Sequence, residues 1–349
     1  MDGEKGKVTA LRTWNEYLLC FQEKALSQIL FNSRVQIPTT DGVPIEISNG
    51  YKVDGSRLLS GNIGCSNKWA TTTTTTGIYF LDSNTDSLYV FNGQLANLSE
   101  DRGMDWWVRQ NHTDKVWCPI DYGRNLNGVR AFYDSKYGDI YFTPGPVNGI
   151  DQPDALCYSE QLGQFTSLMS YGGTQAMFNF ADGFYSLRET DGNVKLYQNN
   201  VGDYNDFYGS VKGWDFSFIS NENPTITKIF DTIETRADSF DGSTVIGDEY
   251  STKKQPGQPF NFIRVSNEYQ DTRWYDEEGK PKDIVFNSSN LRKKFRVWRA
   301  LLPRNYGTRQ RIRNPWSMIT LGWNPLNTTQ PGDNTKKAVV HDVTVKYTV

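Results

Sequence analysis

The densest chemistry in this sequence is a run of cations. Nine basic residues lie between Arg292 and Arg313: Arg292, Lys293, Lys294, Arg296, Arg299, Arg304, Arg309, Arg311 and Arg313. No acidic residue interrupts them, and because the whole chain carries −3, everything outside the run carries −12. Seven of the nine are Arg, whose planar fork pairs bidentately with carboxylate or phosphate. The segment predicts an interface with an acidic protein neighbour. The other readings are a face paired internally with acidic inserts such as Asp276-Glu277-Glu278, and direct contact with DNA phosphates.

Other chemistry is sparse. Trp106-Trp107 is a candidate platform for stacking on sugars, against the simpler reading of core tryptophans. His112 and His341 are the two histidines. His341-Asp342 falls on a predicted strand, where neighbours point to opposite faces and cannot form a dyad. Cys20 and His112 can meet only if the fold brings them together. Asp82-Ser83-Asn84-Thr85-Asp86 opens like a calcium loop, but Ser87 stands where Gly is needed and Gly93 where Glu is needed. An Asx-rich hairpin turn explains these residues better. Cys20, Cys65, Cys118 and Cys157 are scattered, with no Cys-x-x-Cys pair, so they read as reduced, mostly buried thiols rather than zinc ligands. No nucleophile elbow or phosphate-binding loop is present. The expectation is a protein without catalytic residues, cofactor or metal.

These residues must be positioned by strands. Aromatics number 48 (19 Phe, 19 Tyr, 10 Trp), a composition suited to sheets. Alanines are few, which argues against helical bundles and α/β enzymes. No apolar run approaches the length that spans a bilayer, and no basic-then-apolar leader opens the chain. The charged fraction of 22% and hydrophobic fraction of 37% suit a folded protein.

Hairpins recur through the first two-thirds. Thr76–Leu81 and Ser87–Gly93 flank the Asp82–Asp86 turn. Val129–Tyr133 and Asp139–Thr143 flank a turn over 134–138. Ala176–Phe180 and Gly183–Leu187 form a third pair, with Val194–Tyr197 following an Asp-Gly-Asn turn. A looser pair is Tyr17–Phe21 with Leu26–Phe31. Tyr79, Phe132 and Phe178 are spaced 53 and 46 residues apart. That spacing, with several hairpins per unit, fits β-propeller blades; the plainer alternative is a sandwich meander. About four units fit between residues 8 and 210, so a ring must close on itself or be completed by a partner.

After residue 213 the strands lengthen: 213–219, 225–236, 260–268, 294–302, 316–322 and 339–348. In the last, Val339, His341, Val343, Val345 and Tyr347 alternate onto one face. The expected organisation is a partial propeller over 1–212 and an all-β, sandwich-like domain over 213–349. A weak helical signal lies around Gly103–Arg109.

Several phrases resemble the C-terminal part of the tail stabilisation or muzzle (nozzle) proteins of crAss-like bacteriophages. They are Gly77–Asp82, Leu88–Gly93, Asn97–Ser99, Trp107–Arg109, Lys294–Arg299, Pro303-Arg304, Arg311–Trp316 and His341–Val345. The resemblance implies a structural protein of the phage tail, made in the bacterial host cytoplasm and carried in the virion. It implies a homo-oligomeric nozzle ring around the DNA exit channel, a propeller joined to further β-domains, and no cofactor. Implied partners are ring proteins on the portal or adaptor side, tail fibres and, in passing, viral DNA. The alternatives are a glycan-binding propeller using Trp106 and Trp107, and a propeller glycoside hydrolase, which needs two carboxyl groups converging in its channel.

Overall fold

The computed structural model describes residues 3–31, 35–37, 45–47, 53, 55–111, 128–144, 154–190, 192–241, 243–244, 254–255, 257–286, 289–327 and 336–349. The chain is all-β: antiparallel sheets with, among the described residues, two short α-helices, Leu98–Asp101 and Asp105–Asn111. It divides into two compact units, Met1–Asn199 and Asn200–Val349. The division falls before the lengthening of the strands at 213. Gly202–Asp203 already pairs with Ser243–Thr244, and the Lys337 ammonium lies 5.8 Å from the Tyr204 ring centre.

The first unit is a series of meanders. The first sheet is Val8–Trp14, Tyr17–Gln22, Leu26–Leu30 and Gly55–Ser60. The second is Thr71–Thr73, Ile78–Asp82, Ser87–Phe91 and Leu95–Asn97. The third is Arg130–Asp134, Asp139–Thr143, Ala155–Ser159 and Gln164–Met169. The fourth has three strands, Thr174–Phe180, Gly183–Thr190 and Asn193–Asn199. The opening strands of successive sheets lie beside one another.

The sheets stack face on face through aromatic pairs. Phe21 of the first sheet meets Phe80 of the second at 4.9 Å between ring centres. Tyr79, on the other face of the second sheet, meets Tyr158 of the third at 5.6 Å. Tyr141, on the far face of the third, stacks on Phe184 of the fourth at 5.8 Å. The second and third sheets are therefore covered on both sides. Ile78–Leu81, Leu88–Phe91 and Ala155–Tyr158 are buried without a break, which is why these segments read as unbroken apolar runs rather than alternating ones.

Polar ties join neighbouring sheets. Arg12 Nε donates to Thr71 Oγ1 at 2.9 Å, and Ala131 N donates to Trp69 O at 2.9 Å. The hydroxyls of Thr74 and Thr76 both donate to the Glu160 carboxylate, giving part of the threonine run a structural use. Arg130, fully buried, donates to the carbonyls of Thr174 and Gln175. Asp82 is also buried. Its carboxylate accepts from Asn84 N at 3.0 Å and Thr85 Oγ1 at 2.9 Å, closing the turn before Ser87. This is the Asx turn expected, and its acceptor positions are used internally. Burial is the main reason the Asp82 pKa lies above its ordinary value.

The second unit has two sheets that share one core. One runs in the order Trp214–Ser220, Ser317–Trp323, Phe262–Ser266, Ile284–Val285. The other is built on Lys228–Asp241, which pairs along one edge with Lys336–Thr348. Arg313–Asn314, Val297–Leu301 and Lys254–Gln255 pair with it in turn at successive positions. Phe230, Ile233, Trp298 and Ala300 from this sheet join Ile263, Val265, Ile319 and Leu321 from the other.

Two strand expectations are corrected here. The segment 294–302 is not one strand. Leu291–Lys294 and Val297–Leu301 form a hairpin with Lys294 opposite Val297, leaving a two-residue turn of Phe295 and Arg296. Both turn residues have positive φ, 50° and 67°, as a turn of type I′ demands. Second, the alternation of 339–348 breaks at His341. Arg236 faces Asp342 and Ala237 faces Val340, so His341 is a bulge residue. Val340, Val343, Val345 and Tyr347 reach the core while His341 is exposed.

Candidate assembly interface

The basic run is distributed over the hairpin and the loop that follows it. Arg292 and Arg299 face each other across the hairpin, a like-charge pair that is unfavourable alone. Glu234, opposite Arg299 on the long strand, offsets it. Its carboxylate takes an ion pair from Arg299 and another from Lys346 Nζ at 2.6 Å. The Lys346 hydrogen bond is the leading reason that the Glu234 pKa lies below its ordinary value. Arg311 Nη1 pairs with Asp231 Oδ1 at 2.7 Å, and Asp231 also accepts from Thr348 Oγ1 at 3.2 Å.

The long strand thus carries a seam of charge on its outer side. Asp238 accepts from His341 Nε2 at 3.2 Å, and Arg236 Nε donates to Asp342 Oδ2 at 2.6 Å. His341 and Asp342 each have their own partner there, so they form no dyad. The acidic insert does not serve the basic run. Asp276 pairs with Lys282 at 3.4 Å and accepts the backbone N–H of Lys280, while Glu278 pairs with Lys280 at 2.7 Å. That turn is self-contained, and internal pairing of the run with Asp276-Glu277-Glu278 is replaced by pairing with Asp231 and Glu234.

The other basic residues have no ion pair with a described carboxylate. Arg292 Nε donates to Ser289 O at 3.3 Å. The Lys293 ammonium lies 5.1 Å from the Trp298 ring centre, and that of Lys294 lies 5.6 Å from Phe295. Arg296 completes the hairpin tip, where Phe295 is 88% exposed. A large apolar side chain at a positive-φ position, standing clear of the protein among four cations, is the feature that sequence reading missed. No local signal marks it, because Phe-Arg lacks the Asn-Gly character by which such a turn is read. Arg304 Nη1 donates to Arg309 O at 3.4 Å, and the Arg309 guanidinium lies 5.5 Å from the Tyr306 ring centre. Arg313 uses its backbone N–H on Gln270 Oε1 at 2.7 Å and leaves its side chain exposed.

The tryptophan pair is split. Successive helical residues point about 100° apart, so Trp107 is 2% exposed in the core while Trp106 is half exposed. A two-ring sugar platform of Trp106 and Trp107 is therefore corrected to one exposed indole. Cys20, Cys65 and Cys157 are buried thiols; Cys118 and His112, and with His112 the Cys20 pairing, lie outside the described residues. Among the described residues no group of three His, Cys, Asp or Glu side chains converges as a metal site. No described helix is long and apolar enough to cross a membrane.

Stacked antiparallel meanders and a two-sheet unit with a charged outer seam define an all-β protein of two units. The chain belongs to the crassvirus muzzle protein family: the family's model matches residues 1–190, and that of the muzzle C-terminal domain matches 202–305. It is 42% identical over 348 residues to a "Muzzle protein" of Bacteroides phage crAss001, covering 99% of this chain. The chain spans 23% of the length of that relative.

Proposed function

We propose that this chain is a structural component of a phage tail and acts through assembly interfaces rather than catalysis. In this reading the four stacked meanders are propeller blades. Copies of the protein contribute to a nozzle ring around the DNA exit channel, within the virion and after synthesis in the host cytoplasm. Neighbouring tail proteins are the partners, with viral DNA in passing contact.

The observation that supports it is the division of labour in the basic run. Arg299 and Arg311 are fastened to Glu234 and Asp231, which fixes the backbone that carries the rest. An exposed Phe295 stands at the tip with the Lys294 ammonium 5.6 Å from its ring centre, and Lys293 and Arg296 flank it in the hairpin sequence. An exposed aromatic anchor on a hairpin rich in cations suits the acidic rim and apolar centre of a protein neighbour.

The test is charge reversal of Lys293, Lys294 and Arg296 to Glu together. These side chains pair with no described carboxylate, so the chain should still fold, with the lost Lys293–Trp298 and Lys294–Phe295 contacts lowering its melting temperature by only a few degrees. Incorporation into tails should fall below a tenth. Arg309, Arg311 and Arg313 are a poorer set, because Arg311 holds Asp231. Normal incorporation of the triple variant would refute the interface role.

A further inference from the structure

The stack of four sheets ends in a bare face. In the fourth sheet, Met177, Ser186 and Tyr197 lie in register on one side, with Phe184 and Asn199. That side packs on the third sheet through Phe184 and Tyr141. The opposite side carries Phe178, Phe180, Tyr185, Leu187, Val194 and Leu196 in the alternate register, with Glu189 and Gln198 toward its margins. Phe180 is 69% exposed and Leu196 59%. Phe178 and Phe180 lie 6.0 and 6.4 Å from the Tyr185 ring centre, so the aromatics form one surface. Contiguous apolar area of this kind on a protein marks a contact.

Continuity says what shape covers it. Each of the three contacts within the stack sets one antiparallel sheet on the next, aromatic to aromatic, with the opening strands side by side. The bare side of the fourth sheet is the next face in that series. A second copy of this chain is the poorer complement. Among the described strand residues, the corresponding side of its first sheet offers Leu11, Leu18, Ile29 and Leu58 interleaved with Thr13, Ser27 and Ser56 and no aromatic, and Cys20 there is already buried. The muzzle relative, by contrast, has more than three times as much polypeptide outside the matched region as within it.

We propose that the outer face of the fourth sheet, centred on Phe178, Phe180 and Leu196, seats a further antiparallel sheet. That sheet is contributed by muzzle polypeptide outside the 348 matched residues and presents aromatic and aliphatic side chains. The proposal rests on reading the meanders as propeller blades and names the face through which that ring grows.

The test uses the whole chain and, as probe, purified crAss001 muzzle polypeptide lacking the matched residues. The chain alone should be monomeric by light scattering and should bind the immobilised probe with one-to-one stoichiometry. Phe180→Asp with Leu196→Asp should weaken binding at least tenfold, and Val194→Asp should do so in part. All three side chains are exposed, so circular dichroism and melting temperature should not change. A discrete dimer abolished by the double variant would overturn the proposal in favour of a second copy. Absent binding, or binding indifferent to the substitutions, would overturn it as well. A chain that still enters tails through its Lys293–Arg296 tip while showing no such binding removes this docking face alone and leaves the assembly reading intact.

Discussion

Replacing Glu234 with Gln removes one negative charge from beneath three positive ones and leaves the side-chain shape nearly unchanged. The carboxylate is mostly covered, with 16% of its side chain exposed, whereas Arg299 and Lys346 are 59% and 53% exposed. Each pair is therefore discounted for solvent screening, to about 0.2–1 kcal/mol. Loss of both, with Arg299 left facing Arg292, puts the cost at about 1.5 kcal/mol. For a unit of this size that is roughly 3–6 °C in melting temperature. The pH dependence follows from the depressed carboxylate. Its stabilisation is present above the unfolded pKa of about 4.3 and disappears as pH falls through the lower folded value. Urea denaturation at low salt should separate Glu234→Gln from the unmodified chain at pH 7, and the gap should narrow steadily as pH falls below the unfolded carboxylate value. Hydrogen exchange by mass spectrometry should localise the weakening to 228–241 and 297–301. A difference under about 0.3 kcal/mol at pH 7, or one that does not shrink on acidification, would show that the seam does not hold the basic hairpin.

Two further outcomes test the stack. Phe80→Ala empties a fully buried site between the first two sheets and should cost about 3–5 kcal/mol in chemical denaturation; a loss under 1 kcal/mol would contradict that packing. Cys65 and Cys157 have pKa values pushed up to about 12 and about 11, chiefly by burial. Both should resist iodoacetamide at pH 8 until the chain unfolds, and peptide mapping of rapid native labelling at either would place them at the surface.

How much of this was legible depended on where the information lay. The hairpins of the second and third sheets were readable because both faces of those strands are buried, so each segment carries its apolar signal in adjacent residues. The Phe295-Arg296 turn was not, since nothing local favours positive φ in Phe or Arg; the ladder from Leu291 to Ala300 imposes it. His341 misled for a related reason. A bulge shifts the strand by one residue, and period-two reading cannot register an inserted step. The basic run was visible as charge. Its fastening to Asp231 and Glu234, some sixty to eighty residues earlier in the chain, is a property of strand register. Trp106-Trp107 needed only the knowledge that the segment is helical, and the weak signal at Gly103–Arg109 was the clue to it.

Arg130 bears on how such a stack tolerates force. Sheets piled face to face are held by greasy contact, which resists separation but offers little against sideways slip. A guanidinium hooked over the Thr174 and Gln175 carbonyls works like the detent of a ratchet. Sliding the fourth sheet across the third would strand a charge in a dry interior before any apolar area was lost. Stiffness against shear would then come from this arginine together with Asn179, whose amide donates to Tyr133 O at 2.8 Å and accepts from Ser135 N at 3.2 Å, while cohesion comes from the aromatic rings.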